Sequence, residues 1–163
     1  MNRAVAGVAS AAFFVAAPGV VAGLVPWLLT GWEVESRLPP ALRIGGAALV
    51  VAGAAVVLTA FARFVLEGAG TPAPVAPTET LVVGGLYRHV RNPMYLAVLA
   101  CIGGQALLFG SWSLVLYGAG MAVAFVTFVR LYEEPTLADR YGAEYDAYRR
   151  AVPGWLPRLR RQR

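Results

Sequence analysis

Lysine is missing altogether from the 163 residues, and cysteine and histidine occur once each, as Cys101 and His89. Without lysine there is no Schiff-base amine and no phosphate-gripping P-loop lysine. A single cysteine cannot build a disulfide framework, and with a single histidine it gives no zinc or haem ligand set, so no metal is expected. Cys101 lies in an apolar run and reads as a small packing residue. Charge is scarce too: 14% of residues are charged and 58% hydrophobic, far more apolar than an ordinary soluble domain. Chemistry is left to Arg, Glu, Asp, Asn, Tyr and backbone groups.

What the chain does have is apolar length. Runs of about Ala4 to Thr30, Ala41 to Leu66, Pro93 to Phe109 and Trp112 to Leu131 are nearly free of charge, close to the ~20 residues a helix needs to cross a bilayer. The expected fold is therefore all-α, an integral membrane bundle of four transmembrane helices in one domain spanning residues 1–163. Met-Asn-Arg and Val15-Ala16-Ala17 mimic a signal peptide, but the first run continues to Trp27, beyond the length of a signal h-region. Small residues Gly45, Gly46, Ala47 and Gly53 would let a neighbouring helix approach the second run closely. The connection from Glu67 to Val83 is punctuated by Gly68, Gly70, Pro72, Pro74 and Pro77, which favour an extended path. Its closing Leu81-Val82-Val83 is expected to pack back onto the domain.

The net charge of +5 would suggest nucleic acid for a soluble protein. Here its distribution fits a membrane better, and no nucleic-acid partner is expected. With the N-terminus inside, only Arg37 and Arg43 fall in the outer loop and every other arginine faces inward, a strong positive-inside bias. The expected location is a cytoplasmic membrane, with both termini on the cytosolic side and the lipid bilayer as a partner. After Glu133-Glu134-Pro135, apolar and aromatic residues Leu137, Tyr141, Tyr145, Tyr148 and Val152 recur on one helical face. They predict one C-terminal amphipathic helix that lies on the membrane or caps the bundle, ended by Pro153. Trp155 and the arginine-rich tail suit an anionic interface.

Two polar elements stand out at the cytosolic ends, in residues of about 84–95 and 130–157. The first is Gly84-Gly85-Leu86-Tyr87-Arg88-His89-Val90-Arg91-Asn92-Pro93-Met94-Tyr95. Asn92 either caps the third helix or orients a ligand through its amide, with Pro93 suited to the first turn. The second is Glu133-Glu134. Adjacent carboxylates at the end of a membrane helix repel each other at its negative pole. They are either a solvated helix end or one wall of a site that holds cations or hydroxyl donors. Tyr87, Tyr95, Tyr141, Tyr145 and Tyr148 crowd the same face, as an interfacial belt or as rings able to hold a cation.

Gly70-Thr71-Pro72-Ala73-Pro74, Leu81 to Arg88, Arg91-Asn92-Pro93-Met94-Tyr95 and Glu133-Glu134-Pro135, followed by Tyr141-Gly142, Tyr145, Tyr148 and Val152-Pro153, form an ordered set over residues 68–157. This set resembles the isoprenylcysteine carboxyl methyltransferases, a family grouped with the phospholipid methyltransferases. The first two runs are similar to that family only in hydropathy. The resemblance implies an integral-membrane methyltransferase that takes S-adenosylmethionine from the cytosol and a lipophilic small molecule or lipid as acceptor. It implies a cofactor pocket at Tyr87, Arg91, Asn92, Pro93, Tyr95, Glu133 and Glu134. Arg140 and Glu134 stand at the positions expected to carry activity. Asn92 occupies a place where the family often has histidine; an amide cannot titrate, so an acid–base role does not carry over. Glu133 or Glu134 would hold ribose hydroxyls or the ammonium, and Arg91 or Arg140 a carboxylate. Two other readings fit the architecture: a membrane reductase of the sterol-reductase type using NADPH, although no dinucleotide fingerprint is present, and a non-enzymatic membrane scaffold.

Overall fold

The computed structural model describes residues 15–67 and 81–157, which form only helices and their connections. The start of the first apolar run, the Gly- and Pro-rich loop 68–80 and the arginine tail 158–163 lie outside the described residues.

Helix α1 begins as a wide, π-type coil over Val15–Leu24 and tightens into an α-helix over Val25–Thr30. Pro18 lies inside the wide part, where it has no N–H to give the preceding turn. Neighbouring helices use the carbonyls there: the Tyr117 hydroxyl donates to Val21 O at 2.9 Å and Gln105 Nε2 to Ala22 O at 2.8 Å. Helix α2 covers Pro40–Glu67, opening on a proline that has no N–H to leave unpaired. Helix α3 covers Pro93–Phe109, starting on Pro93 and stopping at Gly110. Helix α4 covers Trp112–Phe128 and passes without a break through a π-type turn, Val129–Glu133, into α5, Glu134–Tyr141. Helix α6 covers Ala143–Ala151.

The four apolar runs are thus helical, but not all are spans. Two helices, Pro40–Ala60 and Trp112–Tyr141, are long and apolar enough to cross a membrane. The stretches Ala17–Thr30 and Pro93–Phe109 are shorter. At 1.5 Å per residue, the 17 residues of α3 extend only ~26 Å, less than a ~30 Å hydrocarbon core. The expectation of four full spans is corrected to two long and two short helices among the described residues.

The helices pack through small residues. A Cβ on Gly46 of α2 would lie 2.6 Å from the Gly104 carbonyl of α3, and one on Gly53 would lie 2.7 Å from Ala97 O and Cys101 Sγ. Both positions need a missing side chain for backbone to meet backbone. Gly45 faces nothing within 4 Å and plays no such part. Val57, Ala97, Val98 and Ile102 form the buried core beside these contacts, and Cys101 is buried as expected. Outward, Ile44 and Val51 are each 70% exposed and Leu116 71%, an apolar exterior that water would penalise and lipid would not. At the end of the bundle opposite α5 and α6, Gly110-Ser111 makes the tight hairpin, with Ser111 Oγ accepting from Leu114 N–H. Gln105 is buried and fully engaged: besides Ala22 O it donates to Cys101 O, and its oxygen accepts from Trp32 Nε1 at 3.1 Å.

The C-terminal amphipathic helix is two helices, α5 and α6, because Gly142 has φ +52° and ψ −125°. That backbone is open to glycine and strained for other residues. Tyr145 and Val152 are buried and Tyr148 half-buried against the end of the bundle, so this segment caps the bundle. Val82 packs with Ala60 and Tyr87, as the Leu81-Val82-Val83 pattern predicts.

Candidate functional site

Four pieces of chain converge at the end of the bundle that α5 and α6 cover: the 3-10 turn Gly85–Arg88, the start of α3, the α4–α5 junction, and α6 with the residues after it. Arg91 is the hub. Its Nη1 donates to Glu134 Oε1 at 2.7 Å and to the Tyr145 hydroxyl at 3.0 Å, and its Nε donates to Val152 O at 3.1 Å. Glu134 reaches a second cation, Arg149 Nη2, at 3.3 Å. The Arg91 and Glu134 side chains are 13% and 14% exposed. Their pairing is a largely dehydrated clamp tying α3 to α5 and α6, so Glu134 is committed within the protein.

Glu133 is placed otherwise. Its Oε2 accepts from the Tyr95 hydroxyl at 2.8 Å, and no ion pair to Glu133 occurs among the described residues. The two carboxylates do not end a helix, as the sequence reading held: the chain runs on into α5, with Glu134 in its first turn. Successive residues on a helix point about 100° apart, so one carboxylate turns to Tyr95 and the other to Arg91. Glu133 is the last residue of the π-type turn, a feature frequent at functional sites, and Glu134 the first residue of α5.

Tyr95 is held between rings: Phe125 of α4 lies 4.8 Å away and Trp155 6.3 Å away, centroid to centroid. Trp155 is half-buried, with its ring toward Tyr95. Tyr87 is buried, and its carbonyl accepts from the Tyr148 hydroxyl at 2.7 Å. Burial, then the charge of Glu133, pushes the Tyr87 phenol well above its ordinary value. Burial does the same to Tyr148, opposed by Arg91, and to Tyr145, aided by Glu134. All three phenols stay neutral at physiological pH.

Asn92 is buried, at the N-cap position of α3, but its side chain caps nothing. Instead Nδ2 and the backbone N–H both donate to Gly154 O, at 3.1 and 3.2 Å. Pro93 is buried at the first turn of α3. Arg140 is exposed, 5.7 Å from the ring of its neighbour Tyr141, and forms no ion pair among the described residues. The structure thus brings Tyr87, Arg91, Asn92, Pro93, Tyr95, Glu133 and Glu134 together and leaves Arg140 outside their hydrogen-bonded network. Sequence reasoning missed Arg149 and the Val152–Gly154 carbonyls; the only signal for the latter was the Pro153-Gly154 pair that ends α6.

Residues 42–144 match the sequence profile of the family described as phospholipid methyltransferase. The chain belongs to that family. It is a methyltransferase by that membership, and the family together with the two long apolar helices gives it a membrane location. The match lends nothing to the reductase reading. No curated protein and no solved structure matches the chain.

The methyl donor general to this family is S-adenosylmethionine, a sulfonium that also carries an ammonium, a carboxylate and ribose hydroxyls. The donor set suits such a group. Glu133 offers a carboxylate without a cationic partner among the described residues, bonded to Tyr95, whose ring neighbours are Phe125 and Trp155; a bare carboxylate and aromatic rings both favour a cation.

Proposed function

We propose that this chain transfers a methyl group from S-adenosylmethionine to a lipophilic acceptor drawn from the bilayer, holding the donor at the Glu133–Tyr95 wall of the site. The observation that carries the reading is the unequal state of the paired carboxylates. Glu134 is neutralised by Arg91 and Arg149, whereas among the described residues Glu133 meets a phenol and no cation. A mostly buried carboxylate without a counter-charge is costly. A bound cation would remove that cost.

When bound, the cofactor supplies an electrophilic methyl group on a cationic sulfur. The protein's part is to hold, orient and exclude water. Glu133 takes the ammonium or the ribose hydroxyls, with Tyr95 fixing its orientation. The Arg91–Glu134 clamp keeps the start of α3 against α5. Alignment alone can lower a displacement barrier by several kcal/mol. Asn92 has no titratable proton, so acid–base catalysis is not assigned to it. Of Arg91 and Arg140, Arg91 is engaged, whereas Arg140 is exposed and forms no ion pair among the described residues, so Arg140 is assigned to meet a carboxylate or the acceptor. The arginine distribution supports a cytosolic position for the site and both termini.

Calorimetric titration of the detergent-purified protein with S-adenosylmethionine tests the reading, followed by transfer of labelled methyl to a lipid extract. Saturable binding and a labelled, extractable lipid product are expected. Absence of binding to the folded protein sinks it.

A further inference from the structure

We infer that Trp155 is a positioning residue: it fixes the Tyr95 ring, and through it the Glu133 carboxylate, and a carbonyl strap following α6 delivers it there.

The strap is Val152–Gly154. Val152 leaves α6 in an extended conformation, φ −121° and ψ 127°. From there three successive carbonyls are gripped by the start of α3. Arg91 Nε donates to Val152 O at 3.1 Å, Arg91 N–H to Pro153 O at 2.9 Å, and Asn92 to Gly154 O through both N–H and Nδ2. Pro153 has no N–H, so this residue of the strap brings no backbone donor that must itself be satisfied. Gly154 permits the approach: a Cβ there would come within 3.2 Å of Arg91 Nη2 and 3.7 Å of Asn92 Nδ2. The next residue, Trp155, then lands against Tyr95.

Tyr95 lies one turn along α3 from Asn92, so strap and ring are fixed by the same helix end. Phe125 is one ring neighbour of Tyr95, and Trp155 is a second at an interplanar angle of 41°. The phenol reaches Glu133 at 2.8 Å. A hydrogen bond of that length is sensitive to small tilts of the ring. Losing the indole frees the ring on one side and loosens the carboxylate without removing any group that touches it.

The functional arm of this inference rests on the reading of the site given above; the geometric arm does not. The test is a double-mutant cycle in the full-length, detergent-purified protein, with Trp155→Ala, Trp155→Phe, Tyr95→Phe and the Trp155→Ala/Tyr95→Phe pair. Trp155→Ala should raise the Kd for S-adenosylmethionine about tenfold, the scale of one weakened hydrogen bond. Trp155→Phe should restore most of the affinity. Because the effect runs through the Tyr95 hydroxyl, adding Trp155→Ala to Tyr95→Phe should cost little more. Multiplying losses overturn the inference.

A second readout needs no cofactor. In protein labelled with 3-fluorotyrosine, the Tyr95 fluorine signal is assigned by its absence in Tyr95→Phe. Trp155→Ala should shift and narrow it as the ring loses its indole neighbour, and a signal left in place overturns the inference. If wild-type protein binds no S-adenosylmethionine, the functional reading falls and the fluorine signal alone decides the positioning role. Trp155→Phe, which keeps a ring directly after the strap, separates misplacement from failure to fold.

Discussion

Glu133 and Glu134 are adjacent in the chain, yet Glu133 accepts from the Tyr95 phenol at 2.8 Å and Glu134 from the Arg91 guanidinium at 2.7 Å. The pair is therefore divided in role. One carboxylate closes a clamp among α3, α5 and α6. The other accepts from a neutral phenol and meets no cation among the described residues. Substitutions at the two positions should differ in kind rather than in degree.

Glu134→Gln should lower stability by about 3 kcal/mol, since it leaves Arg91 buried without its counter-charge. Glu133→Gln keeps an acceptor for Tyr95 and should leave the melting temperature within about 2 °C, a fraction of a kcal/mol. It should weaken S-adenosylmethionine binding at least about tenfold, the scale of one charge-assisted hydrogen bond. Arg149→Ala, whose side chain is 54% exposed, should cost under about 1 kcal/mol. Thermal unfolding in detergent and calorimetric titration read the two effects separately. Equal stability losses at positions 133 and 134 would contradict the division.

Helix packing gives a second contrast. Gly46→Ala would put a Cβ at 2.6 Å from Gly104 O and 2.9 Å from Leu107 Cβ, forcing α2 and α3 apart. Overpacking of this kind costs about 1–3 kcal/mol. Gly45→Ala meets nothing within 4 Å and should gain up to about 1 kcal/mol from helix propensity. Opposite shifts in melting temperature for neighbouring glycines are the expected result.

Alkaline pH tests the buried phenols. Burial, chiefly, raises the Tyr148 phenol; Arg91 opposes the shift and Tyr145 adds to it. In the unfolded chain the phenol ionises near its ordinary value of about 10, while the folded protein keeps its proton. Its contribution to stability is thus complete below pH ~10 and falls as pH rises further, because only the unfolded state gains by ionising. Tyr148→Phe should lose about 1 kcal/mol at neutral pH, with the bond to Tyr87 O. It should also lose stability less steeply than wild type above pH ~10. Melting temperatures across pH 8 to 11 (a range chosen about that phenol value) make the comparison. Equal slopes in the two proteins would show that Tyr148 does not titrate between the states.

Local signals marked several boundaries well. Pro93 before an apolar run and Gly110 after it give α3, and Gly110-Ser111 gives its hairpin to α4. The break at Gly142 was hidden because Leu137, Tyr141, Tyr145 and Tyr148 keep helical spacing across it. Periodicity records which face is apolar, not whether the axis bends. Glu133 and Glu134 were legible as a pair, but their division falls at the end of the turn Val129–Glu133, which no residue type announces. Asn92 satisfies the usual sequence pattern for a cap, yet its amide serves Gly154, 62 residues away. Gln105 gave no signal either. An amide in an apolar run declares itself only when the carbonyl of Ala22 and the indole of Trp32 are brought to it.

Arg140 provides the last test, because its expected role rests on resemblance while its surroundings are plain. It is exposed on α5, its guanidinium lies over the Tyr141 ring, and no ion pair holds it among the described residues. An exposed cation–π contact is worth about 0.5–1 kcal/mol, so Arg140→Ala should barely change the melting temperature. If the guanidinium meets a carboxylate of the cofactor or acceptor, the same substitution removes a charge-assisted bond worth about 1.5–3 kcal/mol, or about ten- to a hundredfold in kcat/KM. Arg140→Lys keeps the charge but not the planar fork and should recover only part of the loss. The expected pattern is full stability with impaired turnover, measured by labelled methyl transfer beside thermal unfolding. Unimpaired turnover in Arg140→Ala would remove Arg140 from the site and leave Glu133 and Tyr95 as its functional wall.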